Sequence, residues 1–411
     1  MTERLYYHDS FLCEFQAEVV ESVPAGGGQA RPALVLDRTA FYPTSGGQVF
    51  DTGWITSAAN GHQKLRVAEV AERQDGAVLH FLDAAAGLPK GSLIHGVIDA
   101  ERRRDHMQQH SGQHVLSAAF IRLFNLPTVS FHMGADYCSI DLEARSLNAH
   151  QVEAAESRAN EVIFEDRAVS ILFVSQEQAQ ELGLRKIPPV ERDQLRLIEI
   201  RDFDLSACGG THVASTGQIG CIFLRKTEKV RQGWRVEFVC GKRTVATARR
   251  DFRTLSASAA LFSSPFGEIP NQIHKAQEEL RAARKSRELL LEELAELIAA
   301  RLLAETTESR GRKIVVRTYA DRDINFTKLL AQKLTHQSSA AVVLLASKAD
   351  QPGLVFAQSP GQPFDMGALM KQAMASLGGR GGGSRDMAQG GAQDAQAVEA
   401  ILTEIAEQVS R

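Results

Sequence analysis

From residue 1 to about residue 100, apolar and polar positions fall into short runs: ALVLDRTAFYP, QVFDTGWI, LRVAEVAER, AVLHFLD and LIHGVIDA. Glycine-rich breaks stand between them at 26–28, 46–47 and 91. Strands at this spacing predict a small β-barrel or curled sheet. From Glu101 the period changes. In ERRRDHMQQHSGQHVLSAAFIRLF, Met107, His110, His114, Leu116 and Ile121 recur at helical intervals until Asn125-Leu126-Pro127 stops the pattern. A further helix around 150–165 and more strands make 101–250 a separate α+β domain.

Between Asn271 and Glu305 the heptad positions Ile273, Ala276, Leu280, Ala283, Leu290, Leu294 and Leu297 are apolar, and Arg287 and Arg301 interrupt the seam. This predicts a long amphipathic helix or a short helical hairpin, a linker over 251–308 that either packs within the chain or, together with the carboxy-terminal region, joins two copies into a homodimer. The continuous apolar runs VVLLA and GLVFA, with helical stretches beside them, predict a small α/β domain over 309–411. Its glycine tract, GGRGGGSRDMAQGG, reads by composition alone as a flexible linker. The fold class expected is α+β and multidomain: a β-barrel over 1–100, an α+β domain, a helical linker and a small α/β carboxy-terminal domain.

The chain has 411 residues, 44% of them hydrophobic and 24% charged, with a net charge of −3, which excludes a disordered or collagen-like chain. With no long apolar run and with charges in the first ten residues, no membrane span and no signal peptide is expected, and the expected location is cytoplasmic. Five scattered cysteines argue against a disulfide framework and for cysteine as ligand or nucleophile. Charge is unevenly spread. Between Arg225 and Arg253 there are ten basic and three acidic residues, a net +7, which reads either as a phosphate-binding patch or as a surface balanced by neighbours.

Candidate chemistry lies in three places. His110-Ser-Gly-Gln-His114 puts two imidazoles on one helical face, the geometry by which a helix grips a single metal ion. Cys208-Gly-Gly-Thr-His212 adds a thiolate and an imidazole across a glycine turn, so that the two pairs together make a Cys-His₃ donor set suited to zinc. The third is Leu36-Asp-Arg-Thr-Ala-Phe-Tyr-Pro-Thr-Ser-Gly-Gly-Gln48. Here Thr39 and Gln48 offer neutral donors and acceptors, and Gly46 and Gly47 permit close backbone approach, but taken alone the segment reads more readily as a plain turn.

In this order, LDRTAFYPTSGGQ, HSGQH and CGGTH resemble the editing domain of alanyl-tRNA synthetase and its free-standing relatives, the AlaX alanyl-tRNA editing proteins. STGQIG at 215–220 and GWRVEFVCG at 233–241 extend the resemblance, and GGGSRDMAQGG at 381–391 is similar to the carboxy-terminal, DHH-associated domain of the synthetase. The resemblance is to the long AlaX form, and an editing domain with a carboxy-terminal domain and no aminoacylation domains is expected. Two details depart from the pattern: Ser111-Gly112 stands where relatives often have Thr-Ala, and Arg380 and Ser384 interrupt the glycine tract.

The resemblance implies zinc on His110, His114, Cys208 and His212, and Thr39 and Gln48 as catalytic residues near the substrate. Gly46 and Gly47 would share in substrate binding. Arg225, Lys226, Lys229, Arg231, Arg235 and Arg385 would meet tRNA. The implied activity is an ATP-independent hydrolysis of tRNA(Ala) mischarged with serine or glycine, in the service of translation fidelity. The chemistry is reasonable: a pocket shaped for alanine rejects an added hydroxyl poorly, so a second, hydrolytic site is needed. A buried Thr39 hydroxyl that lacks its partner when alanine is bound would cost about 1–3 kcal/mol. Gln48 is neutral and is expected to orient water or substrate. Four protein ligands describe a closed ion more readily than an open one. A non-catalytic, zinc-stapled tRNA-binding protein therefore stands as an alternative; so does a threonyl-type editing activity, whose synthetase carries a related domain with similar His and Cys motifs but without the glycine-rich carboxy-terminal module, while a DHH-type phosphoesterase lacks its Asp-His-His motif.

Overall fold

The computed structural model describes residues 1–25, 31–57, 63–182, 184, 194–349 and 351–411. The predicted glycine break at 26–28 lies outside them. The chain is α+β and divides into two compact units, Met1–Ala257 and Ser258–Arg411.

The first unit opens with β1 (Glu3–Arg4), which pairs in parallel with β4 (Arg38–Thr39) beyond β2 (Glu14–Val23) and β3 (Ala33–Leu36). With β5 (Gly53–Thr56), β6 (Leu65–Glu72), β7 (Val78–Leu82) and β8 (Leu93–Ile98), β2 and β3 close a six-stranded barrel in the order β2-β3-β7-β6-β5-β8. Alternation explains the closure: Phe15, Ala17 and Val19 of β2 turn inward onto Leu34, Ile55, Val67 and Ile98, while their neighbours face solvent.

Helix α1 (Ala100–Phe124) is capped by the Asp99 carboxylate, which accepts from the Glu101 and Arg102 N–H groups, and is ended by Asn125 in the left-handed conformation. It is buried along most of its length, and Gly112 lies so close to Cys240 that an added Cβ would stand 2.3 Å from the sulfur. After β9 (Thr128–Met133), β10 (Cys138–Leu142), α2 (Ala149–Phe164), β11 (Val169–Val174), α3 (Gln176–Glu181), β12 (Leu195–Ile200) and β13 (Asp204–Ala207) come β14 (Ile222–Val230) and β15 (Gly233–Cys240). They form two sheets, β14-β15-β10-β9 and β11-β12-β13. A core including Val115, Phe120, Ile140, Val162 and Phe238 joins α1 and α2 to this unit. Helix α4 (Lys242–Leu261) follows, and the division between the units falls within its last turn.

Barrel and helix are tied by one buried ion pair. The Arg103 guanidinium donates to Asp51 at 2.5–3.3 Å and to the carbonyls of Ser10 and Ala40, with both charged side chains essentially without solvent contact. Asp51 also accepts from the Tyr42 N–H at 2.8 Å, so the 40–51 segment is fixed at both ends.

In the second unit, α5 (Ile269–Glu305) is a single helix of 37 residues, not a hairpin. Its buried stripe is Ala295, Ala299 and Leu302, whereas the heptad positions Leu280, Leu290 and Leu297 are exposed. Next come β16 (Lys313–Tyr319), α6 (Ile324–Gln337), β17 (Ala341–Ser347), β18 (Gly353–Gln358), α7 (Met366–Leu377), β19 (Arg380–Gly383), β20 (Met387–Gly391) and α8 (Ala395–Ser410). The sheet order is β16-β17-β18-β20-β19, with β16 and β17 parallel. Strand β17 is buried on both faces, Val342 and Leu344 packing to one side and Val343 and Leu345 to the other, which is why it reads as an unbroken apolar run. The glycine tract is an ordered antiparallel hairpin. A Cβ at Gly390 would lie 2.4 Å from Met374 Sδ, so its glycines let α7 rest directly on the strands. Among the described residues no helix is long and apolar enough to cross a membrane.

Candidate metal centre

One helical turn on the buried face of α1 brings His110 beside His114, and the loop after β13 delivers Cys208 and His212 to the same point. One donor atom from each of the four lies within 4.8 Å of all the others. The His110 ring centroid is 4.5 Å from that of His212 and 5.3 Å from that of His114. Cys208 Sγ stands 3.4 Å from His110 Nε2 and 3.3 Å from His212 Nε2. With metal–sulfur and metal–nitrogen bonds of zinc length, a tetrahedral S···N edge is roughly 3.5 Å. The donor set fits such an ion in both chemistry and spacing.

Each imidazole is held from behind through Nδ1. Gln48 Oε1 lies 2.7 Å from His110, Asp204 Oδ2 3.3 Å from His114, and Ser111 Oγ 3.3 Å from His212. These contacts turn the Nε2 atoms inward and set the tautomers. Gln48 is itself oriented: its Oε1 accepts the Thr211 N–H at 3.1 Å and its Nε2 donates to Thr211 Oγ1 at 2.9 Å. Glycine permits the close wrapping. A Cβ on Gly210 would fall 2.2 Å from His110 Cε1, and one on Gly47, at φ +86°, would fall 2.4 Å from the Phe131 carbonyl, whose ring stacks on His110 at 5.4 Å.

Electrostatics complete the donor set. Burial by itself would raise the Cys208 thiol, but His110 and His212 outweigh it and hold the thiol well below its ordinary value, giving a thiolate. Burial lowers His212 to about 3, against an opposing pull from Cys208. His114 goes the other way: the effect of burial is overcome by the bonds to Asp204 and Cys208, which raise it to about 9. Two acceptor groups thus draw a positive charge toward a centre that a cation would fill.

Known proteins resemble this chain in sequence. The family described as class II (A) tRNA synthetases matches residues 2–102, the second additional domain of threonyl and alanyl tRNA synthetases matches 195–236, and the DHHA1 domain matches 311–411. The alanyl-tRNA editing protein AlaX-L of Pyrococcus horikoshii is 31% identical over 95% of this chain and 94% of its own. This chain belongs to the AlaX-L family. It is also homologous to alanine–tRNA ligases: that of Pyrococcus furiosus is 30% identical over 97% of the chain, and that of Archaeoglobus fulgidus 31% over 98%, the chain spanning 43% of each ligase.

In this AlaX-L relative the other expected site residues are placed unequally. Gln48 sits in the centre, behind His110, from the Ser45–Gln48 turn that Gly46 and Gly47 shape. Thr39 is fully buried, and its hydroxyl serves the barrel: it donates to His80 Nε2 at 2.8 Å and accepts from the Phe41 N–H at 3.1 Å. His80 Nδ1 faces the Leu34 carbonyl at 3.0 Å, which fixes this direction. One acceptor lone pair of Thr39 is left over.

Of the cations assigned to tRNA, Arg225 pairs with Asp251, Lys226 with Glu228 and Arg235 with Asp141. Lys229 and Arg231 are exposed and have no ion pair among the described residues. Arg385 is exposed in the turn between β19 and β20 of the second unit. Sequence reasoning missed Asp204, Ser111, Asp51 and Arg103. Only Ser111, inside HSGQH, and Asp204, four residues before Cys208, carried a positional signal.

Proposed function

We propose that the chain is a trans-editing deacylase that cleaves the ester joining serine or glycine to tRNA(Ala) and spares Ala-tRNA(Ala). The observation that carries this reading is the centre itself: three imidazoles clamped at Nδ1 around one thiolate, on a chain alignable along nearly its whole length with an AlaX-L protein. Zinc is the proposed ion, and when bound it supplies a Lewis acid that polarises the ester carbonyl and eases ionisation of water.

The chain's own residues do the rest. Gln48 keeps His110 in register and is a positioning residue. The cavity of about 310 Å³ lined by His8, Ser10, Phe11, Ile171 and His212 reaches a ligand residue and is proposed to receive the aminoacyl end.

Four protein donors favour a second reading, a closed ion that staples the CGGTH loop to α1 in a tRNA-binding protein without hydrolytic activity. Deacylation of Ser-tRNA(Ala), Gly-tRNA(Ala) and Ala-tRNA(Ala), with wild type beside a folded Cys208→Ala variant of measured metal content, separates the two. Cleavage of the serine and glycine esters alone, lost in the variant, supports the deacylase. A zinc-loaded wild type that binds tRNA and cleaves none of the three overturns it.

A further inference from the structure

The fold neutralises much of the +7 segment. Besides the three pairs already named, Lys242 pairs with Glu101, Arg243 with Asp105 and Arg250 with Asp251. Lys229, Arg231, Arg249 and Arg253 remain without an ion pair among the described residues. Lys229 and Arg231 stand at the turn between β14 and β15, and there they meet Arg145, which lies outside the segment, in the connection from β10 to α2. The three cations line a cleft of about 720 Å³ whose walls also include Asn125, Pro127 and one acid, Glu143.

This cleft has a fixed frame. A Cβ on Gly233 would lie 1.9 Å from the Leu142 carbonyl and 3.3 Å from the Ala144 N, so the turn rests directly on the backbone that carries Arg145. The Glu143 N–H in turn donates to the Pro127 carbonyl at 2.9 Å, fixing the third wall. The comparably sized cleft of about 640 Å³ along Arg102, Lys242 and Arg243 differs. There Lys242 and Arg243 are held by acids, and the Arg102 Nε donates to the Phe50 carbonyl. Uncommitted positive charge, exposed and held on rigid backbone, is what a polyanion selects.

We infer that the Arg145–Lys229–Arg231 cleft is a docking surface for the sugar–phosphate backbone of RNA, engaging about three phosphates. This rests on the reading of tRNA as the substrate, and it narrows the tRNA contacts of this unit to two of the cations expected from sequence plus one that was not. Phosphate contacts of this kind set register and orientation without reading bases.

The test is binding of an unacylated tRNA(Ala) transcript to the full chain by fluorescence anisotropy over a salt series. Each phosphate neutralised contributes roughly one unit to the slope of log K against log salt. The variant Arg145→Gln/Lys229→Gln/Arg231→Gln is expected to lose about two to three units of slope and at least tenfold in affinity at low salt. Arg66→Gln, an exposed barrel cation beside Asp83, is expected to keep the wild-type slope. A triple variant with the wild-type slope overturns the docking surface and leaves the deacylase reading intact. A wild type that binds no tRNA at all overturns both.

Discussion

The side-chain oxygen of Gln48 lies 2.7 Å from Nδ1 of His110, although 62 residues separate them. A barrel turn thereby orients a candidate donor on α1, and the centre is assembled from three stretches of chain. Removing such an outer partner typically costs 10–100-fold in metal affinity. Gln48→Ala should therefore remain folded and bind zinc about 10–100-fold more weakly, measured by competition with a chromophoric chelator. An unchanged affinity would show that His110 needs no support from the turn.

Two neighbouring kinds of glycine should respond differently. A methyl group at Gly210 would overlap the His110 ring, 2.2 Å from Cε1, and would stand 2.9 Å from Gln48 Oε1. Gly210→Ala should abolish stoichiometric zinc binding. At Gly46 nothing lies within 4 Å of an added Cβ, and only its φ of +57° resists substitution. Gly46→Ala should cost about 1 kcal/mol of stability and leave zinc bound. Equal metal contents in the two variants would contradict the packing argument.

The four clustered donors, His110, His114, Cys208 and His212, were legible in the sequence because a metal-binding donor set demands particular residue types, and a helix turn or a glycine loop fixes their spacing. Their supports were not, because Asp204 and Ser111 are common polar residues whose significance lies only in what they face. The ion pairs were hidden for a related reason. Arg235 and Arg243 are neutralised by Asp141 and Asp105, about a hundred or more residues away in sequence, so counting charge along a segment overstated the free positive surface. In the second unit the seam of α5 was visible as a heptad. The residues that pack most fully, Ala295, Ala299 and Leu302, lie beside it, facing Phe326, Leu330 and Leu334 of α6, while Leu280, Leu290 and Leu297 of the seam stay exposed.

His80 makes the barrel sensitive to acid. Burial holds it down at about 4, against a smaller opposing pull from the Leu34 carbonyl, while the unfolded value is near 6.5. Between those values the unfolded chain binds more protons, so stability rises with pH. The contribution is complete above about pH 6.5 and is lost as pH falls toward 4, amounting to about 3 kcal/mol in all. Urea unfolding at pH 7.5 and pH 5 should show a steeper loss for wild type than for His80→Gln. Parallel losses would place the acid sensitivity elsewhere, His106 being another buried imidazole with a lowered value outside the donor cluster.

The Arg103–Asp51 pair gives the sharpest test of how the turn carrying Gln48 is anchored. Both side chains are buried, and Asp51 also accepts from the Tyr42 N–H, so Arg103→Met leaves a carboxylate in the interior without its counter-charge. The expected cost is about 3–5 kcal/mol. Asp51→Asn keeps a polar partner without charge and strands the guanidinium in the same way. In the double variant neither uncompensated charge remains, and its cost should fall well short of the sum of the two single variants. Metal binding distinguishes an anchor from a mere staple: if the pair fixes the 40–51 segment, each folded single variant should also bind zinc more weakly, through the displaced Gln48. Additive stabilities with unchanged zinc affinity would mean that the turn is held by the barrel alone.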